Sequence, residues 1–177
     1  EKKQIKRYRK FQFTYKEMNN LIKFSKKKKI ELFWTFFDFE SFDYFKSKMN
    51  LFKISSTDNN FFYFIKKIIK EKKNTFISLG MLNNRQIDKL VKFLKKLDIN
   101  CHKYVSLLHC NSAYPLKNKE ANLLQISYLK TKYPKFKIGY SDHAFGIDAC
   151  TSAISLGAEI VEKHFTMNKK SSKLRDH

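Results

Sequence analysis

Apolar residues fall into short blocks separated by longer stretches in which apolar side chains recur every third or fourth position, the two signatures of buried strands and amphipathic helices. Thr14-Tyr15-Lys16-Glu17 has the form of a capping box and predicts a helix to about Lys27, with Met18, Leu21, Ile22 and Phe24 on its apolar side. Ile30 to Phe37 then reads as a first strand. A rhythm follows: helix Ser41 to Lys48 and strand Leu51 to Ile54, helix Phe62 to Lys70 and strand Thr75 to Leu79, helix Asn84 to Leu97 and strand Tyr104 to His109. Helix Ala121 to Lys132 leads to strand Lys137 to Tyr140, and helix Ile147 to Ser155 leads to strand Glu159 to His164.

Strands that alternate with helices predict a parallel α/β sheet, because parallel neighbours need a crossover and that crossover is usually a helix. The period alone fits either a (β/α) barrel or an open doubly wound sheet. Polar residues narrow the choice, since they gather just after the strands: Thr35 and Asp38; Lys53, Ser55, Ser56 and Asp58; Ser78; His109, Ser112 and Tyr114; Ser141, Asp142 and His143; Glu162 and His164. One Ser or Thr after a strand is ordinarily a helix N-cap. Contributions from all six units favour a closed ring, whose active site lies at the carboxyl ends of its strands.

Composition adds a charge of +21, which raises the question of nucleic acid. The lysines are scattered over every predicted helix, only four basic residues are Arg, and Phe, Asn and Ile are equally abundant, a bias toward A/T-rich codons that specifies no nucleic-acid partner. Cys101, Cys110 and Cys150 form no CxxC pair, and an odd number argues against a disulfide framework, so a reducing cytoplasm is expected. No apolar run approaches the ~20 residues of a membrane span. The four glycines stand apart, which leaves no Gly-rich phosphate loop, and no Ser-x-x-Lys or Gly-x-Ser-x-Gly nucleophile appears.

The chemistry concentrates between Lys137 and Phe165. If the last two strands are parallel neighbours, ~4.8 Å apart, His143 and His164 emerge side by side at one end of the sheet, as in a two-imidazole metal site. Two ligands are too few for a closed structural site and leave coordination positions open to substrate and water. A ring of hydroxyls with Lys53 nearby suits a small phosphorylated anion.

Leu107-Leu108-His109-Cys110-Asn111-Ser112-Ala113-Tyr114-Pro115, Gly139-Tyr140-Ser141-Asp142-His143 and Glu162-Lys163-His164-Phe165-Thr166 resemble motifs of the sialic acid synthase family. Thr35-Phe36-Phe37-Asp38, Phe52 to Asp58 and Ser78-Leu79-Gly80-Met81 are similar to earlier strand ends of that family, in the same order. The resemblance implies a (β/α)8 barrel, of which this chain holds roughly strands three to eight, without the first two strands or the C-terminal antifreeze-like domain. It implies condensation of phosphoenolpyruvate with an N-acetylated amino sugar, N-acetylmannosamine or a relative, to a sialic acid-type nonulosonate. It further implies a divalent metal, usually Mn2+, on His143 and His164. Thr35, Lys53, Ser56, Ser78, Ser112 and Ser141 would line the phosphoenolpyruvate site, and Tyr114 and Asp176 would face the sugar, Asp176 as part of the catalytic set. Asp58 and Glu162 stand at acidic positions that support the site. Full-length relatives are expected to be homodimers. The alternative is an inactive remnant that binds a ligand or is completed by a partner.

Overall fold

The computed structural model describes residues 12–168. The chain divides into two compact units, Glu1–Phe33 and Trp34–His177. The first holds α1 (Tyr15–Lys28), opened by the expected capping box: the Thr14 hydroxyl accepts from the Glu17 N–H, and the Glu17 carboxylate accepts from the Thr14 N–H at 2.7 Å. It ends at Lys29 in the left-handed conformation.

The second unit alternates α2 (Phe39–Phe45), β1 (Leu51–Ile54), α3 (Phe62–Ile69), β2 (Asn74–Ser78), α4 (Asn84–Leu97), β3 (Val105–Cys110), α5 (Leu124–Lys132), β4 (Lys137–Asp142), α6 (Asp148–Ser155) and β5 (Ile160–Lys163). All four strand pairings are parallel, and the spatial order β1-β2-β3-β4-β5 follows the chain. A doubly wound sheet reverses its order at a switch point. This one never does.

Its curvature follows from one ion pair. In a flat sheet β1 and β5 would lie roughly 19 Å apart, four strand spacings, yet Lys53 Nζ on β1 sits 2.6 Å from Glu162 Oε1 on β5. The five strands therefore curl into half a barrel, with Lys53 and Glu162 meeting across its interior.

Strand alternation sorts the side chains. Phe52, Ile54, Ile77, Val105, Leu107, Ile138 and Tyr140 are buried on the helix-facing side. Phe52, for example, meets the ring of Phe42 in α2 at 5.3 Å. Inside the curl, Ser78, Leu108, Gly139 and Ile160 align in one register row. Gly139 is required there: a Cβ would lie 2.5 Å from Leu108 Cδ2 and 2.8 Å from the Ile160 carbonyl oxygen, which is backbone and cannot yield. Gly139→Ala is expected to destabilise the unit by about 1–3 kcal/mol, the cost of overpacking a filled core, read as a lower midpoint in chemical denaturation.

The first expected strand, Ile30 to Phe37, is corrected: only Thr35 pairs, as an isolated parallel bridge to Lys53. Asp38 accepts the Ser41 N–H at 2.7 Å and starts α2 at Phe39, earlier than the sequence suggested, so the chain turns away directly after the bridge. Phe36 is fixed by the rings of Phe42, Phe45 and Phe52 and needs no ladder.

Candidate active site at the carboxyl ends of the strands

The site is built from side chains that leave the inner face of the curl near its carboxyl rim. Lys53 is only 7% exposed and gives both its short contacts to the Glu162 carboxylate; the Ser141 hydroxyl donates to the same carboxylate at 2.6 Å. Ser141 and Glu162 are register partners on β4 and β5, which is why their side chains share a face. Burial pushes the Glu162 carboxyl up, but the charge and hydrogen bonds of Lys53, with the Ser141 hydroxyl, outweigh it and hold it below its ordinary value. Thr35 lies beside Lys53 through the bridge.

A second group surrounds Gly80. A Cβ at this position would lie 2.5 Å from both Ser112 Oγ and Ser56 Oγ, so those hydroxyls close on the bare glycine backbone. The Ser56 hydroxyl also donates to Cys110 Sγ at 3.6 Å. Among the described residues, the Ser78 and Ser112 hydroxyls are buried without a hydrogen-bond partner in the protein. Buried polar groups are almost always paired, so two unpaired donors, one at the end of β2 and one in the loop after β3, mark a place for an acceptor. Asn59, which sequence reasoning missed, positions this loop: its buried side-chain amide donates to the Ser78 and Gly80 carbonyls at 3.0 and 2.9 Å.

The third group is His143, His164 and Tyr114. The imidazole centroids are 5.3 Å apart and nearly perpendicular, and the Tyr114 ring lies 4.0 Å from that of His143 and 5.7 Å from that of His164. The pairing of Asp142 with Lys163 puts the two histidines next in register, as parallel neighbours require. His143 Nδ1 lies 2.7 Å from the Asn111 carbonyl oxygen, an acceptor, so Nδ1 is the donor there and Nε2 is the ring nitrogen that would serve a metal. Among the described residues no three His, Cys, Asp or Glu side chains gather as a metal site, so these two imidazoles are the donors on offer. Their separation is within what two rings bound at ~2.1 Å to one ion span, an open arrangement suited to catalysis.

One expected member stands apart from these groups. Asp58 closes its own turn, accepting from the Ser55 and Thr57 hydroxyls at 3.0 Å each. Asp176 lies outside the described residues. His109 falls on the helix-facing side, with Nε2 2.9 Å from the Ala121 carbonyl and the ring stacked on Tyr140; burial pulls its pKa down.

Behind the rim, Asp142 is 1% exposed. Burial pushes its carboxyl up, but Lys163, the Ala144 N–H, Cys150 and Tyr140 together hold it below its ordinary value. Depressed carboxylates stabilise a fold above their ordinary pKa values, here 3.8 for Asp142 and 4.5 for Glu162, and that stability is lost as pH falls through the lower folded values. These two groups are expected to leave the thermal midpoint flat from about pH 7 to 5 and to drive its fall below. Glu162→Gln should make that fall shallower, as differential scanning fluorimetry across pH would show.

A model of the NeuB family matches residues 1–177. The N,N'-diacetyllegionaminic acid synthase of Campylobacter jejuni is 35% identical over 170 residues, 96% of this chain and 50% of that protein. The N-acetylneuraminate-9-phosphate synthase of Drosophila melanogaster is 37% identical over 135 residues, 75% of this chain and 35% of that protein. Among solved structures, the N-acetylneuraminic acid synthetase of Leptospira borgpetersenii in complex with citrate superposes with a TM-score of 0.82 at 36% identity, over 89% of this chain and 54% of that one. The chain thus spans half or less of the length of these curated relatives.

Proposed function

Because the chain belongs to the NeuB family, we propose that its rim site condenses phosphoenolpyruvate with an N-acetylated amino sugar, forming a sialic acid-type nonulosonate and releasing phosphate. The observation that carries this reading is the pair of unpartnered buried hydroxyls, Ser78 at the end of β2 and Ser112 against Gly80, on the same rim as Lys53 and the two imidazoles. Hydroxyl donors and one ammonium, with Lys53, Ser78 and Ser141 all buried, suit an anion bearing phosphate and carboxylate.

C3 of phosphoenolpyruvate attacks the sugar aldehyde carbon, whose oxygen takes up a proton. A water oxygen then adds at C2 and gives up its protons, the bond between C2 and the bridging phosphate oxygen breaks, and inorganic phosphate leaves with that oxygen, so that C2 becomes a ketone. Ser56, Ser78, Ser112 and Ser141 orient the enol phosphate, with Thr35 beside them, and Lys53 offsets its charge. Tyr114, against His143, offers a face and a hydroxyl to the sugar, and Asp176 belongs to the same catalytic set. Glu162 and Asp58 stay supports, the first holding Lys53 and Ser141, the second its turn. A divalent ion, in our assignment Mn2+, would be held by His143 and His164 and would act as a Lewis acid on the aldehyde oxygen.

The reading extends to the complete protein as a homodimeric cytoplasmic enzyme with a closed (β/α)8 barrel, in which Thr35 and β1 to β5 correspond to strands three to eight. Among the described residues no helix is long and apolar enough to cross a membrane.

Phosphate release from phosphoenolpyruvate by the protein that carries this chain, dependent on N-acetylmannosamine or another acetamido sugar, is the expected result. A remnant that only binds would take up phosphoenolpyruvate and release none, with every such sugar, and that outcome would overturn the proposal. Gly80→Ala tests the cradle separately: the new methyl turns the Ser56 and Ser112 hydroxyls aside. It is expected to weaken phosphoenolpyruvate binding about tenfold, the worth of one hydrogen bond to a charged group, with little change in thermal midpoint, by titration calorimetry.

A further inference from the structure

The residues immediately before the two histidines, Asp142 and Lys163, are joined on the face of the sheet opposite the site. Asp142 Oδ2 accepts from Lys163 Nζ at 2.6 Å and from Cys150 Sγ at 3.1 Å; Oδ1 accepts from the Tyr140 hydroxyl at 3.0 Å and the Ala144 N–H at 2.9 Å. Lys163 Nζ donates in addition to the Ala144 carbonyl at 2.6 Å. One buried carboxylate thus gathers β4, the turn after it, α6 and β5.

We infer that the Asp142–Lys163 pair is a positioning clamp that sets the separation and orientation of the His143 and His164 imidazoles without touching either. Residues 142 and 144 are both tied to Lys163, so the backbone of His143 is fixed on each side. Its own carbonyl accepts from the Leu116 N–H at 2.9 Å, and its ring is held from Asn111. The position of His164 follows from Lys163, whose ammonium anchors the end of β5 to the same carboxylate. Alternation along the strands puts the side chains of Asp142 and Lys163 opposite those of Ser141 and Glu162. The clamp therefore acts on the imidazole pair and leaves the anion-binding face alone. This two-sided arrangement separates it from a general stabilising contact.

The inference rests on the proposed metal site, and its test separates the two. Lys163→Met removes the cross-strand tie with little change of length, Lys163→Arg restores the charge, and Cys150→Ala removes a contact to Asp142 while leaving the tie. In the full chain, nuclear Overhauser contact between the two imidazole rings is measured alongside titrations with Mn2+ alone and with phosphoenolpyruvate alone. For Lys163→Met the expected result is a weakened ring–ring contact and Mn2+ affinity lower by about 10- to 100-fold, the usual cost of losing an outer-shell partner, with phosphoenolpyruvate affinity retained. Lys163→Arg should recover most of both losses, and Cys150→Ala should show neither. Unchanged ring contact in Lys163→Met, or loss of Mn2+ and phosphoenolpyruvate binding together, would overturn the clamp. If the unaltered chain takes up no Mn2+, the metal reading fails by itself, and the ring contact alone then decides for or against the clamp.

Discussion

Replacing His143 with alanine is expected to abolish Mn2+ binding, lowering affinity by at least ~100-fold, beyond the 10- to 100-fold typical of residues that only orient a ligand. Two imidazoles are the donors the described residues bring together, so in the proposed metal site the substitution would remove half of the protein's ligands. It also removes the ring on which Tyr114 rests at 4.0 Å, which should raise the requirement for the sugar as well. The fold should survive, because the ring is part-exposed and its Nδ1 hydrogen bond is to a loop carbonyl. Electron paramagnetic resonance of free Mn2+ during titration checks the binding, and the thermal midpoint checks the fold. Phosphoenolpyruvate affinity in the absence of metal should be unchanged, since the hydroxyl cradle around Gly80 is built from other strands.

Lys53→Met is expected to weaken phosphoenolpyruvate binding by about 10²- to 10³-fold, in keeping with the 2–5 kcal/mol lost when one member of a hydrogen-bonded charge pair is truncated. Two effects add. The anion loses the buried ammonium, and Glu162, which Lys53 holds ionised, becomes an uncompensated negative charge beside the same pocket. Glu162→Gln added to Lys53→Met should therefore restore thermal stability and only the part of the anion affinity lost to that charge, a non-additivity that a double-mutant cycle by calorimetry would measure. Full recovery of binding in the double variant would mean that Lys53 acts only through Glu162.

Much of this was legible in the chain because it follows from alternation. The five strands from Leu51 to Lys163, the parallel order and the adjacency of His143 and His164 all come from apolar blocks spaced by helices. Counting by two also separates His109 from Ser106, Leu108 and Cys110, and applying that parity would have placed it on the helix side from the outset. The Ile30 to Phe37 block misled because an apolar run looks the same whether a ladder or aromatic packing holds it; Phe36 is kept by three rings, and Asp38 starts the helix at once. Asn59 and the Asp142–Lys163 tie carried no local signal. Each depends on partners about twenty positions away, Ser78 and Gly80 for the amide and β5 for the carboxylate, which only the register of the sheet brings near.

The most direct test of the shared rim is the relaxation of the phosphorus nucleus of bound phosphoenolpyruvate when Mn2+ is added to the full chain. Marked shortening of the 31P relaxation time, lost in His143→Ala and His164→Ala while phosphoenolpyruvate stays bound, is the expected result. Saturating Mn2+ and phosphoenolpyruvate on the same protein with unaltered 31P relaxation would contradict a single site made of the two imidazoles and the hydroxyl cradle.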